Sequence, residues 1–269
     1  MLKIKLLQGL IENDLRVEID ASKIEKIMAE NSKIRKWKRL NSFPLKFISE
    51  NYPDLLADVT FLKSGTGSAF KRAKIPEEMT KELAYLLGAM RDGSLIKSSG
   101  KHWVRLYDSA KSVWIEEVQK LFEEIFEVKM AVRFQKRIDE KYLDISSKPL
   151  HFLIKKLVEG NLHKNVPGII RNSPKEIQIS YVCGFFDAEG HVPSKTVKNK
   201  RFRITFTQKD ESSLIYIKDF LSEFGIKTSA ISSYSFAIYG KEMIEKFHTN
   251  FGLLNPSKSG RLDEMLRAL

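Results

Sequence analysis

Two acids, each followed by glycine at the end of an apolar run, are the residues of this chain best placed to do chemistry together. They are Asp92-Gly93, closing LAYLLGAMRDG (Leu83–Gly93), and Glu189-Gly190, closing ISYVCGFFDAEG (Ile179–Gly190). One such acid alone is an ordinary helix-end residue, and the glycine behind it could be a simple left-handed cap. Two of them in duplicated segments are different, because a pseudo-twofold axis would bring both acids to one centre. Small residues would let the two helix backbones approach: Ala84, Gly88 and Ala89 in one, Cys183, Gly184 and Ala188 in the other. Adjacent carboxylates repel unless a cation lies between them. Mg²⁺ suits that place, since it is held by one or two carboxylates plus waters and phosphate oxygens. Bound metal ions can then activate water and stabilise the leaving oxygen of a phosphodiester.

The elements that must position these acids are also written twice. After each acid-glycine comes a basic, turn-rich segment and a β-like run, His102–Tyr107 (HWVRLY) and Arg201–Thr207 (RFRITFT). An amphipathic helix follows, at about 110–126 and 210–224. Two further strands come next: Lys129–Arg137 with Tyr142–Ser146, and Lys227–Ser232 with Ser235–Tyr239. A closing helix ends each unit, at about 148–159 and 241–251. The period and pattern predict an α+β fold of two pseudo-symmetric αββαββα units. The two copies occupy residues 76–165 and 166–269, with Pro76 expected to open the first helix.

Ahead of them, residues 1–75 carry 15 basic against 9 acidic residues and form the densest positive stretch. Short helices are expected at 21–31, 31–40 and 42–53, making a small basic helical module that could be helix-turn-helix-like. Its second helix would turn Lys33, Arg35, Lys36 and Arg39 toward DNA and Ile34 and Trp37 inward. A plain three-helix packing unit fits the same residues. The segment 62–75 is read as a linker.

The whole chain has 46 Lys and Arg against 34 Asp and Glu, a formal charge of +12, which favours a phosphate-bearing partner. Its single cysteine excludes a disulfide scaffold, and Cys183 reads as a buried packing residue. No apolar run of about 18 residues is present, and the first residues meet acids too soon for a secretory leader. A cytoplasmic protein is expected. His102, His151, His163, His191 and His248 show no zinc-ligand spacing. Alternation puts Arg201 and Arg203 on one face of a strand. With Arg105, Arg133, Lys136 and Arg137 they could enter the major groove, where Arg reads guanine. At the hairpin tips Lys97, Lys101, Lys195, Lys198 and Lys200 would touch phosphates and set register.

The two acid-glycine segments resemble the paired LAGLIDADG motifs of homing endonucleases, in the single-chain form. GFFDAEG (Gly184–Gly190) matches the motif in length and pattern, and Val166–Gly190 is similar to intein-type members. In the first copy GAMRDG (Gly88–Gly93) has one residue fewer between glycine and acid. The resemblance covers about residues 76–265. It implies a saddle of strands over a long DNA site, and a site-specific double-strand break with Mg²⁺, or Mn²⁺ in its place. It implies that Asp92 and Glu189 bind the metal. It further implies that Gln208 of TQKD (Thr207–Asp210) lies near the centre, with Asp108 in the matching place. The family also uses a basic residue near the last strand of each half, a place Lys148 and Lys241 fit. A lysine there would stabilise charge at the scissile phosphate. The expected partner is double-stranded DNA, with no membrane and no small-molecule substrate, and the expected state is a monomer. With Met1 at the start and Leu269 at the end, no splicing half is expected. A protein that kept the fold and binds nucleic acid without cutting is the alternative.

Overall fold

The computed structural model describes residues 2–20, 23, 32–65, 71–135, 137, 139–194 and 202–267, with side chains from residue 36 onward in the helix that begins at Ser32. The helices are α1 (Leu2–Gln8), α2 (Ser32–Arg39), α3 (Leu45–Asn51), α4 (Lys81–Ala89), α5 (Trp114–Phe126), α6 (Lys148–Leu157), α7 (Gly168–Arg171), α8 (Lys175–Glu189), α9 (Glu211–Ser222), α10 (Lys241–Asn250) and α11 (Pro256–Arg267). The strands are β1 (Arg16–Ile19), β2 (Phe43–Pro44), β3 (Val59–Lys63), β4 (Arg72–Lys74), β5 (Gly93–Ser98), β6 (Lys101–Ser109), β7 (Ala131–Gln135), β8 (Glu140–Ser146), β9 (Gly190–His191), β10 (Arg203–Thr207) and β11 (Ser235–Tyr239).

The two-unit plan is present. The first unit runs α4-β5-β6-α5-β7-β8-α6 with an antiparallel sheet in the order β5-β6-β8-β7. In the second, α8-β9-β10-α9-β11-α10, the sheet is β11-β10-β9. The strand expected at 227–232 is reduced to two bridges, Thr228 to Ile238 and Ser232 to Ser235. Serine hydroxyls take over part of that ladder, the Ala237 amide donating to Ser229 Oγ at 3.0 Å.

α4 and α8 form the axis. Leu83–Ala89 and Tyr181–Asp187 are buried without a break, as a helix enclosed on all sides requires. The helices meet at their glycines. A Cβ on Gly88 would lie 2.2 Å from the Tyr181 carbonyl oxygen, and one on Gly184 would lie 2.0 Å from that of Tyr85. Each glycine thus faces the residue three before the other, a reciprocal contact that marks the pseudo-twofold. Cys183 is buried beside it, and burial pushes its thiol up, as suits a packing residue.

Three expectations change. The N-terminal module is not all-helical: an antiparallel sheet in the order β2-β1-β3-β4 runs through it. The 62–75 segment, instead of linking, supplies the end of β3 and β4, paired through Leu62 and Ala73. Val17 and Ile19 alternate inward from β1, and their β3 partners Leu62 and Val59 join them across a register shift, in one hydrophobic cluster shared with both repeats. Pro76 does not open α4; Thr80 caps it, its Oγ1 accepting from the Leu83 amide at 3.2 Å. α2 and α3 form close to their expected places, while 24–31 lies outside the described residues. No helix among the described residues is long and apolar enough to cross a membrane.

Candidate active site

The shortened first motif still delivers its acid. Gly88 to Asp92 is four steps and Gly184 to Glu189 is five. α8 stays α-helical through Glu189, whereas α4 tightens into a 3-10 turn over Met90–Asp92. An α-helix rises about 1.5 Å per residue and a 3-10 turn about 2.0 Å. Three 3-10 residues therefore recover about 1.5 Å, the rise of the missing residue.

At the two helix tips the charge of Glu189 reaches Asp92. Burial first, then the negative charges of Glu189 and Asp108, push the Asp92 carboxyl up to about 7, against the pull of Lys258. Burial also raises Glu189, opposed by the Arg91 charge, a Gln208 hydrogen bond and Lys258. Gln208 is buried at the end of β10 and donates from Nε2 to Glu189 Oε1 at 3.0 Å. The Lys209 amide fixes its other end, donating to Gln208 Oε1 at 2.8 Å. The matching place in the first half holds Asp108, which cannot donate to Asp92. One of its oxygens accepts from the Ser109 amide at 2.6 Å, and Oδ2 is buried without a hydrogen-bond partner.

This donor set fits a hard divalent cation. Two desolvated, mutually repelling carboxylates and an orphaned carboxylate oxygen gain from a positive charge between them. Among the described residues no three His, Cys, Asp or Glu converge as a ready-made metal cage. Mg²⁺ needs none, because it keeps waters and takes substrate oxygens.

Lys258 of α11 was not singled out in the sequence. Its buried Nζ donates to the carbonyl oxygens of Phe186 (3.0 Å), Asp187 (2.7 Å) and Ala188 (3.3 Å), the last turn before Glu189. An ammonium has three protons, so the helix end takes them all. Burial lowers Lys258 to about 8, while Asp187, Asp108, Asp92 and Glu189 hold it up. It thus caps α8 and partly offsets the acidic pair. Asp187 brings it there: its Oδ2 accepts from Tyr85 Oη (2.6 Å) and from the Leu254 (2.7 Å) and Asn255 (3.0 Å) amides, just before α11. Replacing Lys258 with Met is expected to cost about 1–3 kcal/mol in urea unfolding, since three carbonyls lose their donor.

Arg91, next to Asp92, is buried and reaches across the repeats. It donates to the carbonyls of His163 and Asn165 and to Ser213 Oγ, at 3.0, 3.0 and 2.9 Å, with Asp210 at 3.7 Å. The chain before α8 and the start of α9 are thereby tied to the tip that carries Asp92.

The structure does not bring Lys148 or Lys241 to the acids. Lys148 Nζ donates to the Asp14 carbonyl at 2.9 Å and so joins the N-terminal module to α6. Lys241 starts α10, half-exposed, with Glu245 at 3.9 Å. Neither is among the charges that act on Asp92 or Glu189. The resemblance pointed to a lysine at each strand-to-helix junction, but the lysine whose charge reaches the acids comes from α11.

Of the basic residues, Lys36, Arg39, Lys97, Lys101, Arg137 and Arg203 are exposed. Arg105 and Arg133 stand on the open face of the first sheet, both bonded to Asp144. For Lys33 and Arg35 only the helical backbone is described; Lys136, Lys195, Lys198, Lys200 and Arg201 lie outside the described residues.

The raised Asp92 carboxyl, with Asp187 pushed up to about 6 and Glu189 also raised by burial, contributes a pH response to the metal-free protein. Between about pH 4 and 7 the folded state holds a proton that the unfolded chain has released, so stability falls as pH rises through that window. Thermal unfolding with chelator is expected to show that fall, and Ca²⁺ is expected to offset it above pH 7 by replacing the proton.

Residues 176–252 match the family model described as a LAGLIDADG-like domain. The chain is 28% identical over 196 residues to the homing endonuclease I-ApeI of Aeropyrum pernix, a span of 68% of this chain and 86% of that relative. A crystal structure of I-DmoI in complex with DNA and Ca aligns with a TM-score of 0.51 at 20% identity, over 70% of this chain and 100% of the other. With that fold around two acid-tipped helices, and that family model over the second of them, the chain resembles the LAGLIDADG homing endonucleases.

Proposed function

We propose that this protein is a site-specific DNA endonuclease that makes a double-strand break with a divalent metal, Mg²⁺ in the first place and Mn²⁺ as a substitute. The observation that carries the reading is the placing of Asp92 and Glu189 at the tips of two interlocked helices, where the charge of Glu189 reaches Asp92. The name of the I-ApeI relative supports the same activity.

Asp92 and Glu189 would hold the metal, which when bound supplies activation of water and stabilisation of the leaving oxygen. The protein's own part is positional. Gln208 fixes the rotamer of Glu189. Lys258 ties the end of α8 and lowers the charge repulsion an incoming phosphate meets. The closed α4–α8 contact would hold the two acid-bearing helix tips side by side. Because one chain supplies both halves, one copy completes the centre. The exposed Lys36, Lys38 and Arg39 of α2 would add phosphate contacts from the N-terminal module.

The test is a supercoiled plasmid library incubated with Mg²⁺, with cut ends sequenced. Linear products sharing one recurrent sequence are expected. Tight duplex binding without cuts at Mg²⁺, Mn²⁺ or Ca²⁺ would instead establish the non-cleaving binder.

A further inference from the structure

Asp144 sits in the middle of the first sheet, on the face that carries side chains to solvent. Its register partner on β6 is Arg105 and its partner on β7 is Ala131. Alanine leaves room over Asp144, and Arg133, two residues along β7, leans into it. The carboxylate is nearly buried, with 4% of its side chain exposed, and it spends one oxygen on each arginine. Arg105 Nε donates to Oδ1 at 2.8 Å and Arg133 Nε donates to Oδ2 at 2.9 Å.

The choice of nitrogen matters. Nε lies on the side of the guanidinium, so each arginine is gripped by its flank. The terminal pair of Nη groups, the edge that matches guanine O6 and N7, is not spent on Asp144. Arg105 is steadied further by Tyr107 and by the rings of Trp103 and Tyr142, whose centroids lie 5.4 and 5.6 Å from its guanidinium carbon. Arg133 keeps 56% of its side chain exposed, more than an arginine placed only to neutralise a buried acid would need. One anion with two cations leaves a net positive charge on this face. Trp103, Asp144 and Arg133 line a surface hollow that continues to Lys71, Lys129 and Arg72, the last paired with Glu127 of the same hollow. Long side chains held in one rotamer before binding lose little entropy when they bind.

We propose that Arg105, Asp144 and Arg133 form a base-reading element that takes guanines in the major groove, with Asp144 as its specificity-determining positioning residue. The inference rests on the reading of duplex DNA as the substrate. Asp144 touches no base; it fixes the spacing of two arginine forks and thereby which base steps they match. Asn in its place keeps the shape but offers one accepting oxygen, so one of the arginines is freed.

The experiment is selection from a randomised duplex DNA library, in Ca²⁺, with the full chain, Asp144→Asn and Arg133→Ala. The unaltered chain is expected to enrich a site with two fixed guanines close together. Arg133→Ala should lose preference at one of them by roughly ten- to a hundredfold, the range for one bidentate contact. Asp144→Asn should relax the preference at these guanines while the remaining positions of the site, and affinity for unrelated duplex, stay as they were; a merely structural pair would leave base preference alone and lower the unfolding midpoint. If both variants enrich the same site as the unaltered chain, or lose affinity evenly at every position, the element is a phosphate contact and the proposal is wrong. Arg133→Ala alters an exposed side chain and reports even where Asp144→Asn fails to fold. If the unaltered chain enriches no duplex sequence at all, it is the DNA reading itself that fails.

Discussion

A chain carrying Asp92→Asn is expected to lose double-strand cleavage by about a thousandfold or more while becoming more stable than its parent above pH 7. The first half follows from removing one of two carboxylates that would hold the metal, whose charge stabilisation is worth several kcal/mol at about 1.4 kcal/mol per tenfold in rate. The second half follows from the charges around the site. Burial and the neighbouring acids Glu189, Asp108 and Glu140 raise Asp92, so its ionised form is unfavourable in the folded protein. Asparagine keeps the shape and drops the charge. Plasmid nicking and thermal unfolding in chelator, measured on the same preparation, check both. A site kept for stability would show the opposite pair, with cleavage intact and the melting point lowered. The variant should also lessen the fall in stability between about pH 4 and 7, most clearly above pH 6, because the Asp92 proton is gone while the raised carboxyls of Asp187 and Glu189 remain.

The centre was legible where the relevant signal is local. An acid-glycine at the end of an apolar helix, repeated once, has few uses, and small residues inside such a helix allow a backbone to come close. Gly88, Gly184, Asp92 and Glu189 could therefore be named from types and spacing alone. Gln208 followed from the resemblance and takes a hydrogen-bonding place beside Glu189. Lys258 escaped because its segment, NPSKSGRL, is polar and has no periodic partner; only the folded chain shows that Asp187 pulls the residues before α11 onto the end of α8. Asp187 itself looks like one more acid of the motif, yet its Oδ2 is held by Tyr85 of the other half. The N-terminal sheet escaped for a related reason. RVEI and VTFLK alternate well enough for strands, but their pairing joins residues far apart in the chain, and the lysine-rich helix between them dominated the local pattern. Local acids and glycines announce themselves, whereas the contacts that lock them depend on where distant segments return.

The other large effect belongs to the helix contact. Gly184→Ala puts a Cβ 2.0 Å from the Tyr85 carbonyl oxygen and 3.0 Å from the Ala89 amide nitrogen. Both obstacles are backbone of a buried helix, so no side chain can swing aside, and α4 and α8 must part. Overpacking usually costs about 1–3 kcal/mol; with backbone on both sides the expected loss is on the order of 3–5 kcal/mol, read as a shift in the urea midpoint. Gly260→Ala is the control. That glycine lies within α11 with open space around its missing Cβ, so alanine there is expected to stabilise by about 0.5–1 kcal/mol. The two substitutions add the same methyl group and should move stability in opposite directions. Cleavage should separate them further. A shift of about 1 Å between groups that act together can cost a hundredfold in rate, and parting the helices moves Asp92 away from Glu189 by that order. Activity lost from Gly184→Ala, even at temperatures where it remains folded, would show that the closeness of the two helices sets the geometry of the acids as well as the strength of the fold.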